Sequence, residues 1–146
     1  MARFLNKVAI ITGGASGIGK KTAEMFIEQG GRVVIGDIDQ ETGQEVSSQI
    51  SKDFGQDKIR YMRLDVADPN QCQAVVDLAV SEFGSVDCVL NSAIKMAPGM
   101  LKDLTLEDWN TMISIGLTGS FLMTQAAGRW MIENKMQGSI VNMSSI

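Results

Sequence analysis

The sequence predicts a doubly wound α/β sheet of five parallel strands in the order 3-2-1-4-5. Short apolar runs rich in β-branched residues alternate with helical segments along the whole chain. Strands separated in this way are joined by right-handed crossovers, which makes them parallel. No linker, low-complexity stretch or internal repeat interrupts the rhythm, so residues 1–146 read as one domain.

The elements follow in order. Lys7–Thr12 is a buried strand. A glycine-rich turn leads into a helix over Lys20–Gln29, with Ala23, Phe26 and Ile27 at helical spacing, and Gly30-Gly31 ends it. Arg32–Asp37 is the second strand. A helix over Gln40–Phe54 turns Val46 and Ile50 inward, and Lys58–Leu64 is the third strand. Asp68 is an N-cap, Pro69 suits the first turn, and Gln71 closes a capping box for a helix running to Phe83. Val86–Leu90 is the fourth strand. Thr105-Leu-Glu-Asp108 opens a long helix to about Asn134. Gly138–Met143 is the fifth strand.

Composition excludes several functions. The chain has 13 Lys+Arg against 17 Asp+Glu and a net charge of −4, which offers no basic surface for nucleic acid. No apolar run approaches the roughly 20 residues that cross a bilayer. The run Val8-Ala9-Ile10-Ile11 is short for a signal peptide and leads into a turn, so a cytoplasmic location is expected. With no histidine, and only Cys72 and Cys88, neither a zinc site nor a Ser-His-Asp triad is expected, nor a disulfide framework. Ten methionines, among them Met96, Met100, Met112, Met123, Met131 and Met136, read as core filling or a helix-packing seam before a cofactor box.

The strongest chemical signal is Thr12-Gly13-Gly14-Ala15-Ser16-Gly17-Ile18-Gly19, lying between a strand and a helix. Glycines permit the tight turn and let the backbone touch a pyrophosphate. The helix then presents free N–H groups and its positive dipole end to the anion. Ser16 and Ile18 add donors. Asp37 ends the second strand, eighteen residues after Gly19. An acid there accepts from both ribose hydroxyls and repels a 2′-phosphate. Ala15, Ser16 and Ile38 carry no positive charge, so NAD is favoured over NADP. Asp37 also reads as a loop acid or helix cap, with Asp39 a rival for the cap.

These residues resemble the short-chain dehydrogenase/reductase family, whose glycine motif Thr-Gly-x-x-x-Gly-x-Gly is matched at every fixed position by Thr12–Gly19. Leu64-Asp65-Val66 resembles the family's adenine-contacting acid after strand 3, although Asp65 alone also reads as an acid bonding nearby backbone. Asn91-Ser92-Ala93-Ile94 resembles its Asn-Asn-Ala-Gly stretch, and Asn91 also reads as a lock between strands. Gly116–Phe121 resembles the helix Asn-x-x-Gly-x-Phe, and Gly138–Ser145 the fifth strand, whose last serine is catalytic. The resemblance implies a Rossmann-like fold lacking the family's C-terminal strands and helices. It also implies NAD-dependent hydride transfer between nicotinamide and a secondary alcohol or ketone. Gly13, Ser16, Gly17, Ile18, Gly19, Asp37, Asp65, Val66, Asn91 and Ala93 would hold the cofactor, and Ser145 would act in catalysis.

Three departures qualify this. Gly116 stands where the family has a helix Asn, and Gly costs about 1 kcal/mol against Ala there. The helix must bend, pack closely or bear that cost. Ile94 stands where the family has Gly, and would narrow the pocket or shift the loop. The family's Tyr-x-x-x-Lys pair falls beyond Ile146, and the one tyrosine, Tyr61, reads as strand packing. The expectation is an amino-terminal portion, inactive alone. The alternative is a non-catalytic module binding NAD or a protein. The long helix 105–134 resembles the family's dimer helix, with Trp109 and Trp130 near its ends, so a homo-oligomer is expected.

Overall fold

The computed structural model describes residues 2–144. Five parallel strands form one sheet: β1 (Val8–Thr12), β2 (Arg32–Asp37), β3 (Ile59–Arg63), β4 (Cys88–Asn91) and β5 (Ser139–Asn142). Their order is β3-β2-β1-β4-β5, as expected. The chain leaves β1 in one direction to build β2 and β3, then crosses back to build β4 and β5. β1 is therefore the point at which the winding reverses.

Both faces of β1 and β2 are covered, which explains why these strands read as apolar runs, whereas β5 at the sheet edge is largely exposed. On β1, Val8 and Ile10 face one way and Ala9 and Ile11 the other, in keeping with the two-residue strand period. The Ala9/Ile11 face packs against helices α1 (Gly17–Glu28) and α2 (Gln40–Phe54) through Ala23, Phe26, Ile27, Val46 and Ile50. The Val8/Ile10 face packs against α3 (Pro69–Phe83) through Cys72, Val75, Val76 and Ala79. Met123, Ala127 and Met131 complete that layer from the last helix, so these methionines are core filling. Burial pushes the Cys72 thiol up to about 11, so it stays protonated at neutral pH.

Helix starts follow side-chain chemistry. Asp39 caps α2, accepting from the Thr42 N–H at 3.1 Å. Asp68 caps α3, accepting from the N–H of Asn70 at 2.8 Å. Thr105 and Asp108 form a complete capping box for α4 (Leu106–Met112). The Thr42 hydroxyl, then its N–H, holds the Asp39 carboxyl below the usual aspartate value; the Asn70 N–H, then the Gln71 side chain, does the same for Asp68. Gln71 does not close a capping box onto Asp68. Its Nε2 donates to Asp68 Oδ2 at 3.0 Å while its Oε1 accepts from the Asp65 N–H at 2.8 Å, tying the cap to the loop after β3.

Two expectations need correction. The first helix starts at Gly17, three residues earlier than the apolar spacing indicates, because Gly17 and Gly19 are poor helix formers and hide the first turn. The long helix is not uniform. α4 passes through a π-helical turn at Ile113–Thr118 into α5 (Gly119–Glu133), with helical backbone angles maintained at Ile113 and Gly119. Gly116 lies in this wide turn, and a Cβ there would meet open space. Close packing is the role of Gly119, whose Cβ would stand 2.5 Å from Val66 Cγ2. No helix among the described residues is long and apolar enough to cross a membrane.

Candidate functional site

The segments following all five strands converge on one cleft of about 580 Å³, within the usual range for cofactor sites. Gly13–Gly19 follow β1, Asp37 and Ile38 close β2, and Leu64–Val66 follow β3. Ser92–Lys95 follow β4, and Met143 and Ser144 follow β5. A crevice outside the carboxyl ends of parallel strands, at the winding reversal, is where this architecture binds ligands.

The start of α1 forms the floor. Its N-cap residue, Ser16, makes no side-chain cap bond, unlike Asp39, Asp68 and Thr105. The N–H groups of Gly17, Ile18 and Gly19 have no intrahelical acceptor by helix geometry, and they border the cleft. Gly13 has φ +66°, a left-handed conformation, and a Cβ there would stand 3.0 Å from the Ala93 backbone. A Cβ at Gly19 would overlap the Gly13 carbonyl oxygen. The turn is thus tight for backbone reasons, which leaves its N–H edge accessible to an anion.

Thr12 joins this turn to the β4 exit. Its Oγ1 accepts from the N–H groups of Ser92 at 3.1 Å and Ala93 at 3.2 Å, while the Ser92 hydroxyl donates to the Thr12 carbonyl. Thr12→Val keeps the shape and removes the acceptor. We expect a loss of about 1–2 kcal/mol in urea unfolding, the cost of two N–H groups left to find water.

Asp37 closes the far end. Its Oδ2 accepts from the Ala15 N–H and its Oδ1 from the Asp39 N–H, each at 3.1 Å. The carboxylate therefore belongs to the glycine turn, and the helix cap is Asp39. Below it, the Tyr61 hydroxyl lies 3.1 Å from the Asp37 carbonyl and 3.3 Å from that of Asp39, and its ring packs where a Gly43 side chain would be. Burial, followed by the charge of Asp37, raises the Tyr61 pKa. Arg63 is the register partner of Asp37, yet it lies outside the cleft lining and forms no ion pair among the described residues.

The other predicted residues divide. Asp65, Val66 and Ala93 line the cleft. Asp65 also accepts from the Ala67 N–H at 2.9 Å, which bears out its reading as an acid bonding nearby backbone. Asn91 is buried and outside the lining. Its Nδ2 donates to Asn142 Oδ1 at 2.7 Å and to Thr124 Oγ1 at 3.2 Å, tying β4 to β5 and α5. Ser145 lies outside the described residues; its neighbour Ser144 borders the cleft. Ile94 and Gly116, the two departures, both line it too. The sequence reading missed the roles of Thr12 and Tyr61. Thr12 was visible as a fixed motif position, whereas nothing local marked Tyr61.

Comparison with known proteins agrees with this geometry. The family model described as short chain dehydrogenase matches residues 7–146. The chain is 39% identical over 145 residues to D-threitol dehydrogenase of Mycolicibacterium smegmatis, covering 98% of this chain and 54% of that protein. It is 38% identical over 144 residues to a 3-alpha-(or 20-beta)-hydroxysteroid dehydrogenase of Mycobacterium bovis, covering 99% of this chain and 53% of the relative. A crystal structure of a short chain dehydrogenase from Bacillus anthracis superposes with a TM-score of 0.89 at 36% identity, over 96% of this chain and 57% of that one. The chain thus spans about half the length of the relatives it matches.

Proposed function

Because the chain belongs to the short-chain dehydrogenase family, we propose that residues 1–146 are a Rossmann-type domain forming the NAD-binding part of an oxidoreductase site. The observation that carries this reading is the start of α1: a tight glycine turn and an uncapped helix end bordering the cleft, with Asp37 bound to the same turn. The N–H groups of Gly17, Ile18 and Gly19 would take the diphosphate, with Gly13 and Ser16 shaping the floor. Asp37 would accept from the adenosine ribose hydroxyls and repel a 2′-phosphate. Asp65 and Val66 would flank the adenine, and Ala93 would face the cofactor from the β4 exit. Asn91 would support that exit from behind the lining.

Bound NAD would supply the hydride chemistry, with a secondary alcohol or ketone as substrate. Ser145 would donate a hydrogen bond to the substrate oxygen. The proton donor is not Tyr61, the single tyrosine of the chain, which is held under the β2–α2 junction. For the chain by itself we expect NAD binding without measurable alcohol oxidation. Exposed Leu106, Trp109, Leu117 and Phe121 along α4, the π turn and α5 would form a homo-oligomer surface.

Calorimetric titration with NAD and NADP tests the cofactor assignment. We expect NAD to bind at least about tenfold more tightly, a difference of about 1.4 kcal/mol. Tighter NADP binding would overturn the role of Asp37. Alcohol oxidation by the chain alone would overturn the non-catalytic reading.

A further inference from the structure

We infer that Lys95 is the charge partner of the dinucleotide diphosphate in this cleft, an inference that rests on the NAD-binding reading above. Lys95 is the one cationic side chain lining the cleft among the described residues. The other ionised groups there are Asp37 and Asp65. A diphosphate carries two negative charges, while a helix N-terminus supplies the equivalent of about half a positive charge. Hydrogen-bond donors alone leave most of that charge uncompensated, in a cleft whose own carboxylates repel it.

The glycine turn cannot correct this from its own helix. Lys20 borders the α2 surface beside Glu41 and Glu45, away from the cleft, and Lys21 is paired with Glu24 at 2.9 Å. Lys95 forms no ion pair with a carboxylate among the described residues. Its position is set by the Thr12 clip. The Ser92 and Ala93 N–H groups bind Thr12 Oγ1, and the Ala93 backbone packs directly on Gly13. Lys95 begins two residues beyond that junction, and its flexible four-carbon stem carries an ammonium with three donors. Lys95 is exposed to solvent and lines the same cleft as Gly13, Gly17, Ile18 and Gly19, so a dinucleotide held there shares the cleft with both a helix end and an ammonium.

An anionic substrate group, such as a carboxylate, is the competing occupant for the same ammonium. The test titrates the wild-type chain, Lys95→Met and Lys95→Arg with NAD, ADP, adenosine and lactate, at low and high salt. Lys95→Met is expected to weaken NAD and ADP by about fivefold at low salt and to flatten the salt dependence, the upper range for one solvent-exposed ion pair. Adenosine binding is expected to be unchanged, and Lys95→Arg to restore NAD binding to within about twofold. The inference alone is overturned if the wild type and Lys95→Met bind NAD equally, if adenosine weakens as much as NAD, or if only lactate binding is lost. A wild-type chain that binds neither NAD nor ADP overturns both this inference and the reading beneath it.

Discussion

Gly19→Ala is expected to lower NAD affinity by about 100-fold or more and to destabilise the fold, although helix propensity alone predicts the opposite. Alanine inside a helix is favoured over glycine by about 1 kcal/mol. The new Cβ, however, would overlap the Gly13 carbonyl oxygen, which is backbone and cannot rotate away. Such overpacking costs about 1–3 kcal/mol. The turn relieves it by moving Gly13 away from α1, and Gly13 is confined on its other side by the Ala93 backbone. Two N–H contacts to the diphosphate are then misplaced, at about 1.5 kcal/mol each. Urea unfolding and calorimetry check the two effects separately. A stabilised variant that still binds NAD would show that the turn has room the structure does not indicate.

Asp37→Ala is expected to weaken NAD by about 30-fold while leaving NADP within about threefold, which removes the preference between them. A hydrogen bond to a charged acceptor is worth about 1.5–3 kcal/mol, and the carboxylate would offer two to the ribose. Part of its capacity is already used on Ala15 and Asp39, which limits the effect to about 2 kcal/mol. Equal losses for NAD and NADP would assign Asp37 to holding the turn, with no part in reading the ribose. Asp37→Asn separates the two roles further, since the amide keeps an acceptor oxygen and loses the charge that repels a 2′-phosphate.

What the sequence made legible was whatever is encoded locally. The β1 run Val8–Thr12, apolar on both faces, marks a central strand, and the glycine spacing of Gly13, Gly17 and Gly19 marks the turn after it. Asp39, Asp68 and Thr105 announce their helices because a cap acts within a few residues. The missed features depend on partners outside the local cap and turn patterns. Gln71 reaches back six residues to the Asp65 N–H while keeping its bond to Asp68. Tyr61 supports Asp37 across the β2–β3 pairing, 24 residues away. Asn91 reaches Asn142, 51 residues away, which bears out its reading as a lock between strands and keeps it out of the cleft lining. Gly116 looked like a helix defect, and the π turn that accommodates it is a property of the joined path from α4 to α5.

In the proposed reading the first-turn amides of α1 bind a diphosphate. Amide NMR of the chain during titration with NAD tests it residue by residue. The largest shifts are expected on Gly17, Ile18 and Gly19, reproduced by ADP and absent with adenosine. Saturating NAD that leaves these three amides in place, with no shift or with shifts confined to other surfaces, would contradict it.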